Sequence, residues 1–276
     1  MNPALAIVLC GMGSAGRSRE KACPEVEGIR LVGRVSRREG IGDISWAEAL
    51  ASPEAEAVAI STENVRHADL TAAALEAGKH VLCDYPLAFS GEKAAELFAL
   101  ARRKDRVLHV EHIGLLSEEH RRLKEAAEQA GPLEQGEFLF QGGWNEKLAD
   151  VAIGGPYPFL AASRLMQVAD LFGEFEIENS VSEASAEGYR LHLHLDFKSG
   201  GSLGFTEERR VGLPRRRSLI ARGRTGNLSL KTGVMGGGLF ARDLAWFRDR
   251  VREGKPCYYD ESLMIRVLEE LARITS

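Results

Sequence analysis

Residues 5–16 read LAIVLCGMGSAG: an apolar run from Leu5 to Cys10 passes without a break into three glycines spaced as GxGxxG. A short apolar run rich in branched side chains is expected to be a strand buried on both faces. The glycines then have separate tasks. Gly11 permits a tight turn, Gly13 lets the backbone approach a pyrophosphate, and Gly16 allows a following helix to pack closely. The amino end of that helix stabilises an anion. The chain therefore opens with the pattern of a dinucleotide-binding βαβ unit.

The pattern continues downstream. RLVGRVS (30–36), AEAVAIS (55–61), KHVLCDY (79–85) and RVLHVEH (106–112) are strand-like. Between them SWAEALAS, HADLTAAALEAG and SGEKAAELFALARRK carry Ala, Leu and Glu at helical spacing. Such a series builds a parallel sheet and places ligands beyond the carboxyl ends of its strands. From about residue 130 the texture changes. GPLEQGEFLFQGGW, RLHLHLDFKSGGSLGFTEE and RRRSLIARGRTGNLSLKTG alternate with period two, as in an antiparallel sheet with one solvated face. The fold expected is α/β: a Rossmann domain with a doubly wound parallel sheet over residues 1–115, then an α+β domain over 116–276 with a large, mostly antiparallel sheet. A helix is expected over 158–173, and two more in the tail from Leu239.

Composition narrows the partners. A net charge of −4 and a pI near 6.0 give no global attraction to nucleic acid or to acidic membranes, and a small anion is the expected ligand. Cys10, Cys23, Cys83 and Cys257 lack metal-ligand spacing and read as free thiols, which suits a reducing cytoplasm. The seven apolar residues at the start lack a basic leader and fit neither a signal peptide nor a membrane span. His192 and His194 share a strand face without a third ligand, so no metal is expected. No strand face demands an oligomer, which leaves monomer and homodimer both open.

The end of the second strand bears on which dinucleotide binds. An acidic residue there suits ribose hydroxyls, whereas a 2′-phosphate needs cations. Ser36, Arg37 and Arg38 occupy the place. A hydroxyl and two guanidiniums favour NADPH, with NADH as the alternative.

STENVRHADLTAAALEAGKHVLCDYP, residues 61–86, resembles the family of glucose-fructose oxidoreductase and inositol dehydrogenase. Its third strand enters a Thr-x-Asn loop with a His soon after, and its next strand ends in Glu-Lys-Pro. Ser61, Thr62, Asn64 and His67 match the loop that lines the nicotinamide side of the cofactor. Asp84-Tyr85-Pro86 stands where Glu-Lys-Pro would be, so the lysine that assists proton transfer is replaced by Tyr85. One branch with an acidic residue, Tyr and Pro at this point is the biliverdin reductases. LVGRVSRRE, AGKHVLCDYPLAFS, RVLHVEHIGLL and ASRLMQVADLFGE each resemble the matching stretches of those enzymes, in the same order. The resemblance implies reduction of a linear tetrapyrrole, biliverdin or a relative, by NADPH.

That reaction needs a proton at a pyrrole nitrogen and cations for two propionates. Tyr85 is a candidate donor, although a phenol is a reluctant acid at neutral pH. Glu111 matches an acidic position near the nicotinamide. Arg164 matches a pocket arginine able to bind a propionate or stabilise the reacting pyrrole. Tyr85, Glu111 and Arg164 are the candidate catalytic residues. Gly11, Gly13, Gly16, Ser36, Arg37, Arg38, Ser61, Thr62, Asn64, His67 and Asp84 are the candidate cofactor residues. Period two separates His109 and Glu111 from His112, which reads as a core histidine, and the site is expected between the parallel sheet and the second sheet. A sugar or cyclitol dehydrogenase is the enzyme alternative, although it would want the missing lysine, and ASRLMQVAD offers Asp170 but no histidine. An NADPH-binding regulator without turnover is the other.

Replacing Arg37 and Arg38 together by Ala is expected to raise the Michaelis constant for NADPH. An unchanged constant would contradict the 2′-phosphate reading.

Overall fold

The computed structural model describes residues 3–231 and 237–275. The chain divides into two compact units. The first comprises Met1–Leu116 and Gly237–Tyr259, and the second comprises Ser117–Gly236 and Asp260–Ser276.

In the first unit, five strands alternate with four helices. They are β1 (Leu5–Cys10), α1 (Ser14–Ala22), β2 (Ile29–Val35), α2 (Trp46–Ala51), β3 (Ala57–Ile60), α3 (His67–Glu76), β4 (His80–Cys83), α4 (Gly91–Arg103) and β5 (Leu108–Val110). The strands are parallel, in the order β2-β1-β3-β4-β5. The connections leave β1 in opposite directions, toward β2 and toward β3, which makes the carboxyl ends of β1 and β3 the switch point where open α/β sheets bind ligands. β1, β3 and β5 are buried along their whole length, which explains why they read as unbroken apolar runs. Ser45 and Glu48 close a capping box on α2, and Ser90 caps α4.

The second unit begins with α5 (Glu118–Ala130), β6 (Leu133–Gly143), and two single turns, α6 (Glu146–Ala149) and α7 (Val151–Gly154). It continues through α8 (Ala162–Phe172), β7 (Phe175–Ser185), β8 (Gly188–Phe197), β9 (Ser202–Arg210), β10 (Arg216–Gly223) and β11 (Asn227–Lys231). The order is β11-β10-β6-β9-β8-β7. Every pairing is antiparallel except β6 with β9. Alternation along β6 buries Gly136, Phe138, Phe140 and Gly142 and exposes Glu137, so one sheet face is core and the other meets water. Phe138 stacks on Phe205 of β9 with centroids 5.0 Å apart. The helix expected over 158–173 starts instead as a 3-10 turn, Tyr157–Ala161, and becomes α-helical at Ala162.

The tail does not follow a single cut at residues 115 and 116. Its first helix, α9 (Leu239–Glu253), belongs to the first unit, and its second, α10 (Glu261–Arg273), to the second. The physical reason lies in α9 itself. Leu244 and Phe247, both fully buried, pack with Leu5, Ile7 and Leu9 of β1, and Asp243 is fully buried against Arg19 of α1. The carboxylate of Asp260 then caps α10 by accepting from the Ser262 and Leu263 amides.

Phe247→Ala is expected to destabilise the first unit by about 3–5 kcal/mol. Hydrogen exchange should show lost protection in β1–β5 and unchanged protection in β6–β10; protection lost equally in both sets would contradict the assignment of α9.

Candidate functional site

The backbone ladder of the parallel sheet continues one residue past each strand. Ser61 N–H donates to Cys10 O at 2.7 Å, Asp84 N–H to Ile60 O at 2.9 Å, and Glu111 N–H to Cys83 O at 2.8 Å. At the other side of β1, Gly11 N–H donates to Val35 O at 2.9 Å. Four residues singled out from the sequence, Gly11, Ser61, Asp84 and Glu111, are thereby held in one row at the carboxyl edge. A strand's last hydrogen bond fixes the first residue of its loop, so the row is as rigid as the sheet.

The glycine turn suits a phosphate. Gly11 has φ +96°, and a Cβ there would fall 2.4 Å from Ser61 O; a Cβ on Gly16 would fall 1.8 Å from Gly11 O. Neither position tolerates a side chain. At Gly13, by contrast, no described atom beyond its own chain neighbours lies within 4 Å of the place a Cβ would take, which leaves room for a ligand. α1 starts at Gly13 with neither a side-chain cap nor an acidic residue in its first turn, so its amino end retains the field that attracts an anion. Met12 O accepts from Arg17 Nη1 at 3.1 Å and from Arg38 Nη2, which ties the loop to the end of β2.

Ser36, Arg37 and Arg38 line a surface depression of about 370 Å³. The Ser36 hydroxyl accepts from Arg38 N–H at 3.1 Å, and Arg37 pairs with Glu63 while remaining largely exposed. Glu39, Asp43 and Glu48 line the same depression. In the loop after β3, His67 is buried with Nδ1 2.9 Å from Pro86 O and Nε2 3.3 Å from Thr62 O. It braces the Thr62 loop against the Tyr85–Pro86 segment, so its ring acts on the protein's own carbonyls. Asn64 opens the 3-10 turn Asn64–Arg66 on the same loop.

Behind the row lies a buried charge network that the sequence did not disclose. Arg19, fully buried, donates to Asp84 Oδ1 at 2.5 Å and to Asp243 Oδ2 at 2.9 Å. Asp243 Oδ1 accepts from His109 Nε2 at 2.9 Å and from the Tyr258 hydroxyl at 2.9 Å. Nδ1 of His109 accepts from Arg250 at 3.2 Å, so its partners fix a neutral ring protonated at Nε2. Burial also disfavours the charged ring, despite Asp243. Although burial opposes its charge, the His109 N–H and Arg19 hold Asp243 well below the usual carboxylate range.

Glu111 is 4% exposed. Burial, then the charges of Asp84 and Asp243, push its carboxyl up to about 8 against the pull of Arg19. Its surroundings therefore favour the protonated form. Its Oε1 accepts from Ile113 N–H at 2.8 Å. Both ring nitrogens of His112 are buried without a hydrogen-bond partner among the described residues, and burial lowers it to about 3, so it is neutral. The half-buried Tyr85 ring stacks on it, with centroids 6.1 Å apart and planes 11° apart. The regular strand that the period-two reading assumed stops short: β5 ends at Val110 and the chain turns into the 3-10 segment Ile113–Leu116. His112 is buried, as a core histidine would be.

Arg164 belongs to the second unit. Its Nε and Nη2 donate to the two carboxylate oxygens of the fully buried Glu207 at 2.8 and 3.1 Å. Arg209 Nε donates to Glu207 Oε1 at 2.6 Å. The guanidinium carbons of Arg164, Arg209 and Arg215 lie 4.5, 5.0 and 5.6 Å from the Phe140 ring centroid. Two guanidiniums thus meet one buried carboxylate and three lie over one ring, an environment of positive field. Asp170, the group a sugar dehydrogenase could have used, accepts from His120 at 2.8 Å and Lys124 at 2.9 Å. The described residues hold no group of three or more His, Cys, Asp or Glu able to bind a metal ion. None of the described helices is long and apolar enough to cross a membrane.

A family model described as an oxidoreductase family with an NAD-binding Rossmann fold matches residues 8–112. Biliverdin reductase A of Homo sapiens is 36% identical over 234 residues, which span 80% of this chain and 77% of that protein. Among solved structures, biliverdin reductase from Synechocystis sp. PCC 6803, in complex with biliverdin and NADP+, superposes with a TM-score of 0.82 at 23% identity, covering 98% of each chain. GenD2 from gentamicin A biosynthesis, in complex with NAD, superposes with a TM-score of 0.87 at 17% identity, covering 98% of this chain and 93% of that one. At those identities the two structures speak for the fold.

Glu111 also links stability to pH. Its folded value lies above the usual carboxylate value, so its contribution is complete in acid and is lost as pH rises toward about 8. Glu111→Gln removes that loss. The melting temperature of the variant relative to the parent should therefore increase from about pH 5 to about pH 9, and a pH-independent difference would show that Glu111 is ionised throughout.

Proposed function

The chain belongs to the biliverdin reductase family of Rossmann NAD(P)-dependent oxidoreductases, and on that premise we propose that it delivers a hydride from NADPH to the central methine bridge of biliverdin, giving bilirubin. Hydride arrival leaves negative charge in the conjugated pyrroles, so the reaction is complete only when a ring nitrogen is protonated. The observation that carries this reading is the place of Glu111, a buried carboxyl at the carboxyl edge of the sheet, where burial favours the protonated form. Oxidation of a sugar hydroxyl needs a base. A carboxyl whose surroundings favour the proton is equipped for the opposite task.

The residues take roles their chemistry suits. The Gly11–Gly16 turn and the amino end of α1 would hold the pyrophosphate, with Ser36, Arg37 and Arg38 on the 2′-phosphate. Ser61, Thr62 and Asn64 would line the nicotinamide side, with His67 bracing their loop, while Asp84 fixes its end of the row through Arg19. Tyr85 would orient the bilin through its ring and hydroxyl. Arg164 would bind a propionate or the developing charge, held for that purpose by Glu207. A guanidinium is too weak an acid to give up its proton readily, so Arg164 acts by charge and Glu111 supplies the proton.

Mixing the protein with NADPH and biliverdin should bleach the long-wavelength bilin band and raise a bilirubin-like band in the blue. No change under conditions where NADPH binds would refute the substrate. Tyr85→Phe is expected to keep most of the turnover and Arg164→Ala to lose roughly a hundredfold, the scale of one charge-stabilising group. The reverse order would exchange their roles.

A further inference from the structure

Glu111 lies on a short segment that is tied from both sides to one distant carboxylate. On one side, His109 donates from Nε2 to Asp243 Oδ1 at 2.9 Å. On the other, His112 N–H donates to the Tyr258 hydroxyl at 2.9 Å, and that hydroxyl donates to the same Asp243 oxygen at 2.9 Å. The second oxygen of Asp243 takes Arg19 Nη1, whose other terminal nitrogen is on Asp84. Asp84 follows Cys83, the residue whose carbonyl accepts from Glu111 N–H. A closed circuit of hydrogen bonds therefore surrounds the glutamate without bonding to its carboxyl.

The groups around Glu111 can be counted by element. α1 supplies Arg19, and the end of β4 supplies Asp84. The end of β5 supplies His109 and His112, both neutral. α9 supplies Asp243, with Arg250 behind His109. The segment after α9 supplies Tyr258 and Tyr259, whose hydroxyls accept from the His112 and Val110 amides. Three carboxyls thus share Arg19, and its two hydrogen-bonded carboxylates are Asp84 and Asp243.

Resting on the reading of Glu111 as the proton donor, we propose that Asp243 is its positioning residue: it clamps the chain on either side of Glu111 and engages Arg19, so that the glutamate keeps its proton. Asp243 touches neither substrate nor cofactor in this role. It acts through Arg19, His109 and Tyr258.

The test is an infrared pH titration of the full chain without nucleotide or bilin, following the carboxylic C=O band that disappears in Glu111→Gln. In Asp243→Asn the midpoint of that band should fall by about one pH unit or more, because one neighbouring negative charge is gone. With NADPH and biliverdin, the alkaline limb of the kcat profile should move down by the same amount. A lowered kcat or melting temperature with both midpoints unmoved would overturn the proposal and make Asp243 structural only. Tyr258→Phe, which keeps the Asp243 charge and cuts one arm of the clamp, covers the case in which Asp243→Asn does not fold. It should lower kcat severalfold with the NADPH Michaelis constant unchanged, and an unaltered kcat would overturn the clamp. Because the infrared midpoint is read without substrate, a shifted midpoint supports the role of Asp243 even if biliverdin is not turned over, while an unmoved one refutes it whatever the substrate.

Discussion

The first unit is organised by one buried cation. Removing a guanidinium from water costs several kcal/mol even after the protein relaxes, about the scale at which a fold is won or lost. Arg19 is tolerated because Asp84 and Asp243 each meet it directly. Those two partners come from the end of β4 and from α9, so the same contacts that offset desolvation also fix where α9 lies and how the β4 loop begins. The two carboxylates needed to hold the arginine in turn raise the proton affinity of Glu111. The chemistry of the edge is a by-product of keeping Arg19 inside.

The second unit applies the same physics with the signs exchanged. There a fully buried carboxylate, Glu207, is held ionised against burial by Arg164 and Arg209, and the Phe140 ring receives three guanidiniums. One unit holds a buried cation between two carboxylates, and the other holds a buried carboxylate between two guanidiniums. Each ion pair is buried within its own unit, which keeps the charges from rearranging.

Much of this was legible in the sequence, and the boundary of legibility has a physical cause. The glycine turn, Ser36–Arg38 and the loop after β3 announce themselves because each follows a strand directly, and strand ends are where a parallel sheet presents its loops. The βαβ alternation was readable for the same reason, since strands buried on both faces leave unbroken apolar runs. Asp243 was not readable. It stands in RDLAWFRDR, where an acid among arginines looks like a solvated helix face, and its partner Arg19 is 224 residues away. Tyr258 and Tyr259 lie between two helices with no pattern to mark them, yet their hydroxyls accept from the His112 and Val110 amides. The parallel pairing of β6 with β9 was equally hidden, because alternation with period two is the same whichever way the neighbouring strand runs. Where the sequence pattern was followed too far, at His109, Glu111 and His112, the error came from letting the strand run two residues past its end.

The return of α9 to the first unit sets an order on the birth of the protein. A ribosome making this chain completes the five parallel strands early, yet Arg19 and the upper face of β1 must wait until residues 239–259 have been made. Through that interval Arg19 has Asp84 but not Asp243, and the apolar surface that Leu244 and Phe247 cover stays open, while the strands of the second unit are being synthesised. The first unit to begin is therefore not the first that can finish.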